Sequence, residues 1–132
     1  MRRTANGGHA VLDEVMQRLH QARIAGDLAG MCRLFACEGR FEIRGASANQ
    51  PIAISTDRLS GFRPWLGMMV KVFRIRQYAV TASVREDPRI AVRWQADIYS
   101  KVTGVTVPTE LIDLAELQDG LIVKYTEFFV PR

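Results

Sequence analysis

A chain of 132 residues, 48% hydrophobic and 24% charged, has room for one domain (residues 1–132) with a sizeable core. It excludes a disordered chain, and a membrane-spanning one too, since no apolar run reaches the roughly 18 residues needed to cross a bilayer. Its net charge of +4 arises from 18 basic and 14 acidic residues spread along the whole length, unlike the continuous basic stripe of a nucleic-acid binder, so neither nucleic acid nor membrane is expected as a partner.

The opening "MRRTANGGHA" has arginines but no apolar stretch behind them. Residues 1–9 therefore read as a flexible segment rather than a secretory signal, and a cytoplasmic location is expected. From Ala10 to about Ala25, Leu12, Val15, Met16, Leu19 and Ala22 recur at helical steps and give one apolar face. Gly26 ends that helix, and Asp27 is suited to cap a second, short one carrying Leu28, Met31, Leu34 and Phe35. Cys32 and Cys37 are too few for a disulfide framework and read as reduced, packed thiols. His9 and His20 have no Cys or His partners at useful spacing, so no metal site is expected.

"GRFEIRG" then alternates as a strand, whereas "GASANQPIAIS" is rich in small and turn-forming residues and reads as a loop. Thr56 or Asp57 would cap a third helix through about Val72, with Leu59, Phe62, Leu66, Met69 and Phe73 buried and a break or kink expected near Pro64. The densest basic stretch follows. In "KVFRIRQY", Lys71, Arg74 and Arg76 surround apolar positions, which suits the solvated edge of a helix-to-strand junction.

Four long strands complete the chain. Tyr78, Val80, Ala82 and Val84 alternate, then Ile90 to Ile98, Leu111 to Leu117 and Leu121 to Phe129, joined by short turns at "EDP", "VTG" and "QDG". The expected class is α+β, with helices laid across one face of a curved antiparallel sheet.

One inward position breaks the alternation. Leu111, Asp113, Ala115 and Leu117 point the same way, and three of the four belong in a core. A three-residue loop Gln118, Asp119, Gly120 would set Ala115 opposite Val123, Asp113 opposite Tyr125 and Leu111 opposite Glu127. A turn at Thr103 and Gly104 would set Trp94 opposite Asp113. Two carboxylates and a phenol would thus share an apolar face, while Arg93, Gln95, Asp97, Lys124 and Thr126 occupy the other. A carboxylate buried there must be neutralised or hydrogen-bonded, and either outcome perturbs it.

The run "AGDLAGMCRLFACEGRFEIRG" and the closing "DLAELQDGLIVKYTEFF" resemble the nuclear transport factor 2-like superfamily, in particular its SnoaL-like polyketide cyclase and ketosteroid isomerase group. The resemblance implies a cone-shaped, cystatin-like fold: three helices packed on a strongly curved, mostly antiparallel sheet, with a ligand cavity at the open end and often a homodimer. It also places the isomerase's oxyanion-binding aspartic acid at Asp113, a system in which an apolar site keeps that acid protonated. The isomerase's base falls at Ile43 and its helix tyrosine at Leu19. Neither can transfer a proton, so steroid isomerisation by that mechanism is not expected. The SnoaL-like cyclases likewise place an acid/base aspartate at Asp113, but their histidine on the preceding strand has no counterpart, the nearest polar aromatic, Tyr99, lying on the opposite face. Arg93 faces away from Asp113, unlike the arginine of the related epoxide hydrolases.

The expected site follows from both lines of reasoning. Asp113, Glu127 and Tyr125 are the candidate catalytic groups, and Trp65, Tyr78, Trp94, Phe129, Ile43, Leu19 and Met16 the candidate lining. The ligand is a small apolar or aromatic molecule, with no cofactor and no metal. Either the chain performs isomerase, cyclase or dehydratase acid/base chemistry on a carbonyl-bearing substrate, or it is a non-catalytic module that holds a ligand or dimerises through the outer face of the sheet.

Overall fold

The computed structural model describes residues 13–47 and 50–132; the expected flexible segment 1–9, the expected first residues of the leading helix and His9 lie outside them. Helix α1 (Glu14–Ala25) begins where the Asp13 carboxylate accepts a hydrogen bond from the Val15 N–H at 2.9 Å, satisfying one of the free donors of the first turn. It ends at Gly26, whose φ of 74° is the left-handed conformation that closes a helix, its N–H reaching back to the Ala22 and Arg23 carbonyls. Asp27 caps the short α2 (Leu28–Cys32) as expected, accepting from the Gly30 N–H at 2.9 Å.

Strands β1 (Phe35–Ser47) and β2 (Gln50–Asp57) pair antiparallel, so most of the stretch expected to be a loop is strand. Its small residues and Pro51 are tolerated because β2 is an edge, where a missing N–H costs no ladder bond, and Ile52, Ile54 and Thr56 supply a half-buried inward row. Helix α3 (Leu59–Val72) runs unbroken through Pro64, and Arg58, at φ 72° and with no side-chain capping bond, stands at its start in place of Thr56 or Asp57. Phe73 leaves the helix and opens β3 (Phe73–Glu86), which is followed by β4 (Arg89–Ser100), β5 (Thr106–Gln118) and β6 (Leu121–Pro131).

The six strands form one sheet in the order β2-β1-β6-β5-β4-β3, antiparallel except for the parallel β1–β6 pair. All three helices contact one another, and α3 also contacts β1, β2 and β3. Between them lies the core, in which Phe62, Phe41 and Tyr125 stack at centroid distances of 5.2 and 5.7 Å. Burying each such ring contributes roughly 1.5–3 kcal/mol. Two bulges in β3 reverse the facing of its second half: Val80 is opposite Trp94 on the inner face, but Ala82 and Val84 turn outwards, contrary to the simple alternation. Cys32 is buried, whereas Cys37 is exposed rather than packed. No helix among the described residues is long and apolar enough to cross a membrane.

Candidate acid/base site

The inner face of β5 and β6 carries the two acids as the alternation requires, but in a different register. The hairpin turn has two residues, Asp119 and Gly120, both with positive φ (54° and 78°), and it closes with Gln118 opposite Leu121. A bulge then leaves Val123 unpaired between Leu117↔Ile122 and Glu116↔Lys124, so Ala115 faces Tyr125, Asp113 faces Glu127 and Leu111 faces Phe129. Each expected pair is displaced by two residues, which preserves the side of the sheet. The β4–β5 connection is also longer than a two-residue turn, and Trp94 lies opposite Leu111 while Val92 lies opposite Asp113.

Helix α1 crosses above these acids. Met16, Leu19, His20 and Arg23 form its buried face, spaced by three or four residues, so a histidine and an arginine follow the apolar residues in one stripe. His20 Nε2 lies 2.6 Å from Asp113 Oδ2, and its Nδ1 lies 2.6 Å from the Tyr78 hydroxyl. Since a carboxylate only accepts, the network assigns Nε2–H as donor to Asp113, and Nδ1 then accepts from Tyr78. Burial, with Asp113 nearby, pushes the Tyr78 phenol up to about 12, so it keeps its proton at neutral pH and can donate.

Arg23, one turn further on, forms a buried ion pair and hydrogen bond with Glu127. Tyr125 adds a hydrogen bond to Glu127 Oε1 at 3.3 Å. Burial pushes the Glu127 carboxyl upward, Arg23 opposes that shift, and the Asp113 charge adds to it. Burial also works against the Arg23 charge, but Glu127, Tyr125 and Asp113 outweigh it and hold the guanidinium above its ordinary value. The Tyr125 phenol is raised well above its usual range by burial and by both acids. Trp94 packs between the bases, its ring 4.8 Å from the His20 ring and 5.3 Å from the Arg23 guanidinium carbon.

Asp113 is 0% exposed, and the space both acids face is occupied by His20, Arg23 and Trp94. Three buried polar atoms in this group have no hydrogen-bond partner: Asp113 Oδ1, Trp94 Nε1 and Arg23 Nε, one acceptor and two donors. Such atoms are rare in folded proteins and each carries a desolvation cost. Arg23 also lines a cavity of about 490 Å3 beside the end of α1. A second concavity, of about 430 Å3, lies across the sheet's outer face between Glu42, Val84, Leu114, Lys124 and Phe128.

Of the residues expected at the site, Asp113, Glu127, Tyr125, Trp94 and Tyr78 come together around the two bases, and Ile43 lies beside Glu127 on the neighbouring strand. Met16 and Leu19 are core residues of the same helix face, while Trp65 and Phe129 pack half-buried against the core. The expectation that no histidine serves Asp113 holds only for the strands, because the imidazole arrives from α1. His20 and Arg23 were absent from the expected set. Their signal was charge balance: two acids turned inward need partners on whatever element covers them.

Solved structures share this architecture. A candidate isomerase from Bacillus subtilis superposes with a TM-score of 0.74 at 19% identity, over 88% of this chain and 84% of that one. A second candidate isomerase, from Rhodopseudomonas palustris, gives 0.75 at 11% identity over 90% and 91%. A protein of ketosteroid isomerase-like fold from Catenulispora acidiphila, solved in complex with trimethylamine, gives 0.70 at 13% identity over 89% and 85%. No curated protein matches the chain in sequence. At these identities the likeness concerns the fold, which is that of the ketosteroid isomerase-like, nuclear transport factor 2-like proteins. Residues 16–125, most of the chain, match the family model described as SnoaL-like domain, and the protein belongs to that family.

Proposed function

We propose that the chain is a cofactor-independent acid/base enzyme of the isomerase, cyclase or dehydratase kind, acting on a largely apolar, carbonyl-bearing small molecule. Asp113 is the proton-exchanging group. His20 is its positioning residue, holding Oδ2 and leaving Oδ1 without a partner. That unpartnered oxygen, together with the unpartnered Trp94 and Arg23 N–H groups, is the observation that carries the reading. A carbonyl oxygen accepting from those two donors would have its charge stabilised as an enolate forms, while Asp113 takes or returns the proton on carbon. Glu127 and Tyr125 set the charge around Arg23, and Tyr78 completes the line of hydrogen bonds through His20. The family and the two candidate isomerases of the same fold support this chemistry, and the trimethylamine complex supports small-ligand binding in such a fold.

The direct test is deuterium uptake from heavy water by a panel of enolisable cyclic ketones, followed by NMR. The parent protein is expected to accelerate exchange for at least one ketone, and Asp113→Asn to lose about a hundredfold or more with the fold intact. Equal rates in parent and variant across the panel would remove Asp113 from the chemistry.

The complete burial of Asp113 and the pairing of both acids by α1 favour a second reading, a non-catalytic ligand-binding or dimerisation module whose acids fasten helix to sheet. It expects Asp113→Asn to be at least as stable as the parent, with ligand affinity little changed. Under either reading the apolar residues Ile112, Leu114, Phe128 and Val130 suit the outer face of the sheet to a two-fold contact with a second copy.

A further inference from the structure

The cavity beside the end of α1 is lined by Arg23, Ile24, Ala25 and Gly26 of that helix and its cap, by Val70 and Lys71 of α3, by Phe73 and Arg74 of β3, and by Lys101. Four of these residues are cationic and none is acidic. Among the described residues Lys71, Arg74 and Lys101 form no ion pair, and Arg23, whose charge is matched by Glu127, still keeps a buried Nε–H with no acceptor. The Lys101 N–H donates to the Val72 carbonyl at 2.8 Å, which ties the β4–β5 loop to the end of α3 and fixes the two walls relative to each other.

Helix dipoles explain part of this. Arg23 and Lys71 stand in the last turns of α1 and α3, where a cation offsets the free carbonyls. Arg74 on a strand and Lys101 in a loop have no such reason to converge on the same space. Nor does a dipole account for the missing acceptor at Arg23 Nε, a planar donor of the kind that matches an oxyanion. Like charges around a concavity repel one another and focus a positive potential into it.

We propose that this basic cavity binds the carboxylate or phosphate group of a small organic anion, held by Arg23, Arg74 and Lys101 with Lys71 at the rim. Its volume of about 490 Å3 lies within the usual range for small-molecule sites. Because Arg23 also contacts Glu127, the anion would sit one side chain away from the acid network. That the anion is the polar end of the molecule on which Asp113 acts rests on the acid/base reading; binding of the anion does not.

The test is NMR titration of the full-length protein with inorganic phosphate and, separately, with acetate, chloride being exchanged to keep ionic strength fixed. Saturable shifts are expected at the amides of Gly26, Lys71 and Lys101 for at least one anion, with affinity about tenfold or more weaker in the Arg74→Ala/Lys101→Ala variant, equivalent to about 1.4 kcal/mol. Arg76→Ala removes a cation from the same stretch that lies over Tyr99 instead, and should bind as the parent does. Saturation by phosphate alone, by acetate alone or by both assigns the anionic group. No saturable shift with either anion, or unchanged affinity in a double variant whose spectrum shows a native fold, overturns the proposal. Loss of proton exchange in Asp113→Asn would leave these titrations unaltered, so the two readings fail separately.

Discussion

Asp113 and Glu127 face each other across the β5–β6 pair, and a single helix answers both, with His20 on the first and Arg23 on the second. The geometry is natural. Three residues of α-helix rise about 4.5 Å, close to the roughly 4.8 Å between neighbouring strands, so one helical stripe can serve adjacent strands. The arrangement joins helix to sheet through two charge-bearing contacts in an otherwise apolar layer.

Breaking one member of the Arg23 and Glu127 pair should cost far more than removing both. Arg23→Met strands a buried carboxylate and is expected to destabilise by about 3–5 kcal/mol, whereas Arg23→Met/Glu127→Leu should recover most of that loss. Urea unfolding of the parent, both single variants and the double variant measures the coupling. Simple addition of the two single effects would mean that the residues do not interact.

The same pair gives a pH dependence of known sign. In the folded chain burial holds the Glu127 carboxyl above its ordinary value of 4.5, so the folded state binds more protons than the unfolded one over that interval. Its contribution to stability is therefore fully present below the unfolded value and is lost as pH rises through the folded one. Compared with Glu127→Gln, the parent should lose stability as pH is raised from about 4 towards 8, measured by urea unfolding at each pH. A difference that stays flat or grows with pH would contradict the upward shift.

The inward pair of acids was legible because period-two alternation survives any register change of two residues. Tyr125 and Trp94 were legible for the same reason, although neither lies opposite Asp113. The bulge at Val123 and the longer loop after Ser100 were not legible, since nothing in alternation marks an extra residue. Apolar periodicity also passes over His20 and Arg23, which occupy core positions of α1 with polar side chains. Strand β2 escaped notice because Gly45, Ala46, Ser47 and Pro51 are poor strand formers, and pairing with β1 overrides their preference. The cationic cavity shows another limit. Lys71 and Arg74 are near in sequence and read as a solvated edge, but Lys101 and Arg23 join them only through the fold.

Gly45 is needed for a steric reason. It pairs with Phe129, and a Cβ at position 45 would stand 2.5 Å from the Phe129 ring and 2.6 Å from its backbone oxygen. Gly45→Ala should destabilise by about 1–3 kcal/mol through overpacking. Adding Phe129→Leu should restore only part of the loss, because the backbone oxygen remains. Thermal unfolding of the three proteins decides it, and a fully restored double variant would assign the whole effect to the ring.

The outer face yields the last prediction. Ile112 and Phe128 are cross-strand partners, 39% and 40% exposed, and Leu114 and Val130 extend the same surface at 42% and 51%. Arg93 pairs with Glu110 at 2.8 Å and Arg132 with Asp97 at 3.4 Å on this face, so charged groups border the apolar residues. Apolar surface grouped in this way is costly in water and is usually covered. If a second copy covers it, the parent should sediment as a dimer, and Phe128→Asp as a monomer, because each charge would be buried near its symmetry mate without a partner. The variant should keep the parent's circular dichroism, since position 128 points away from the core. A parent that sediments as a monomer at all attainable concentrations would rule out the two-fold contact, and the apolar face would then need a different cover.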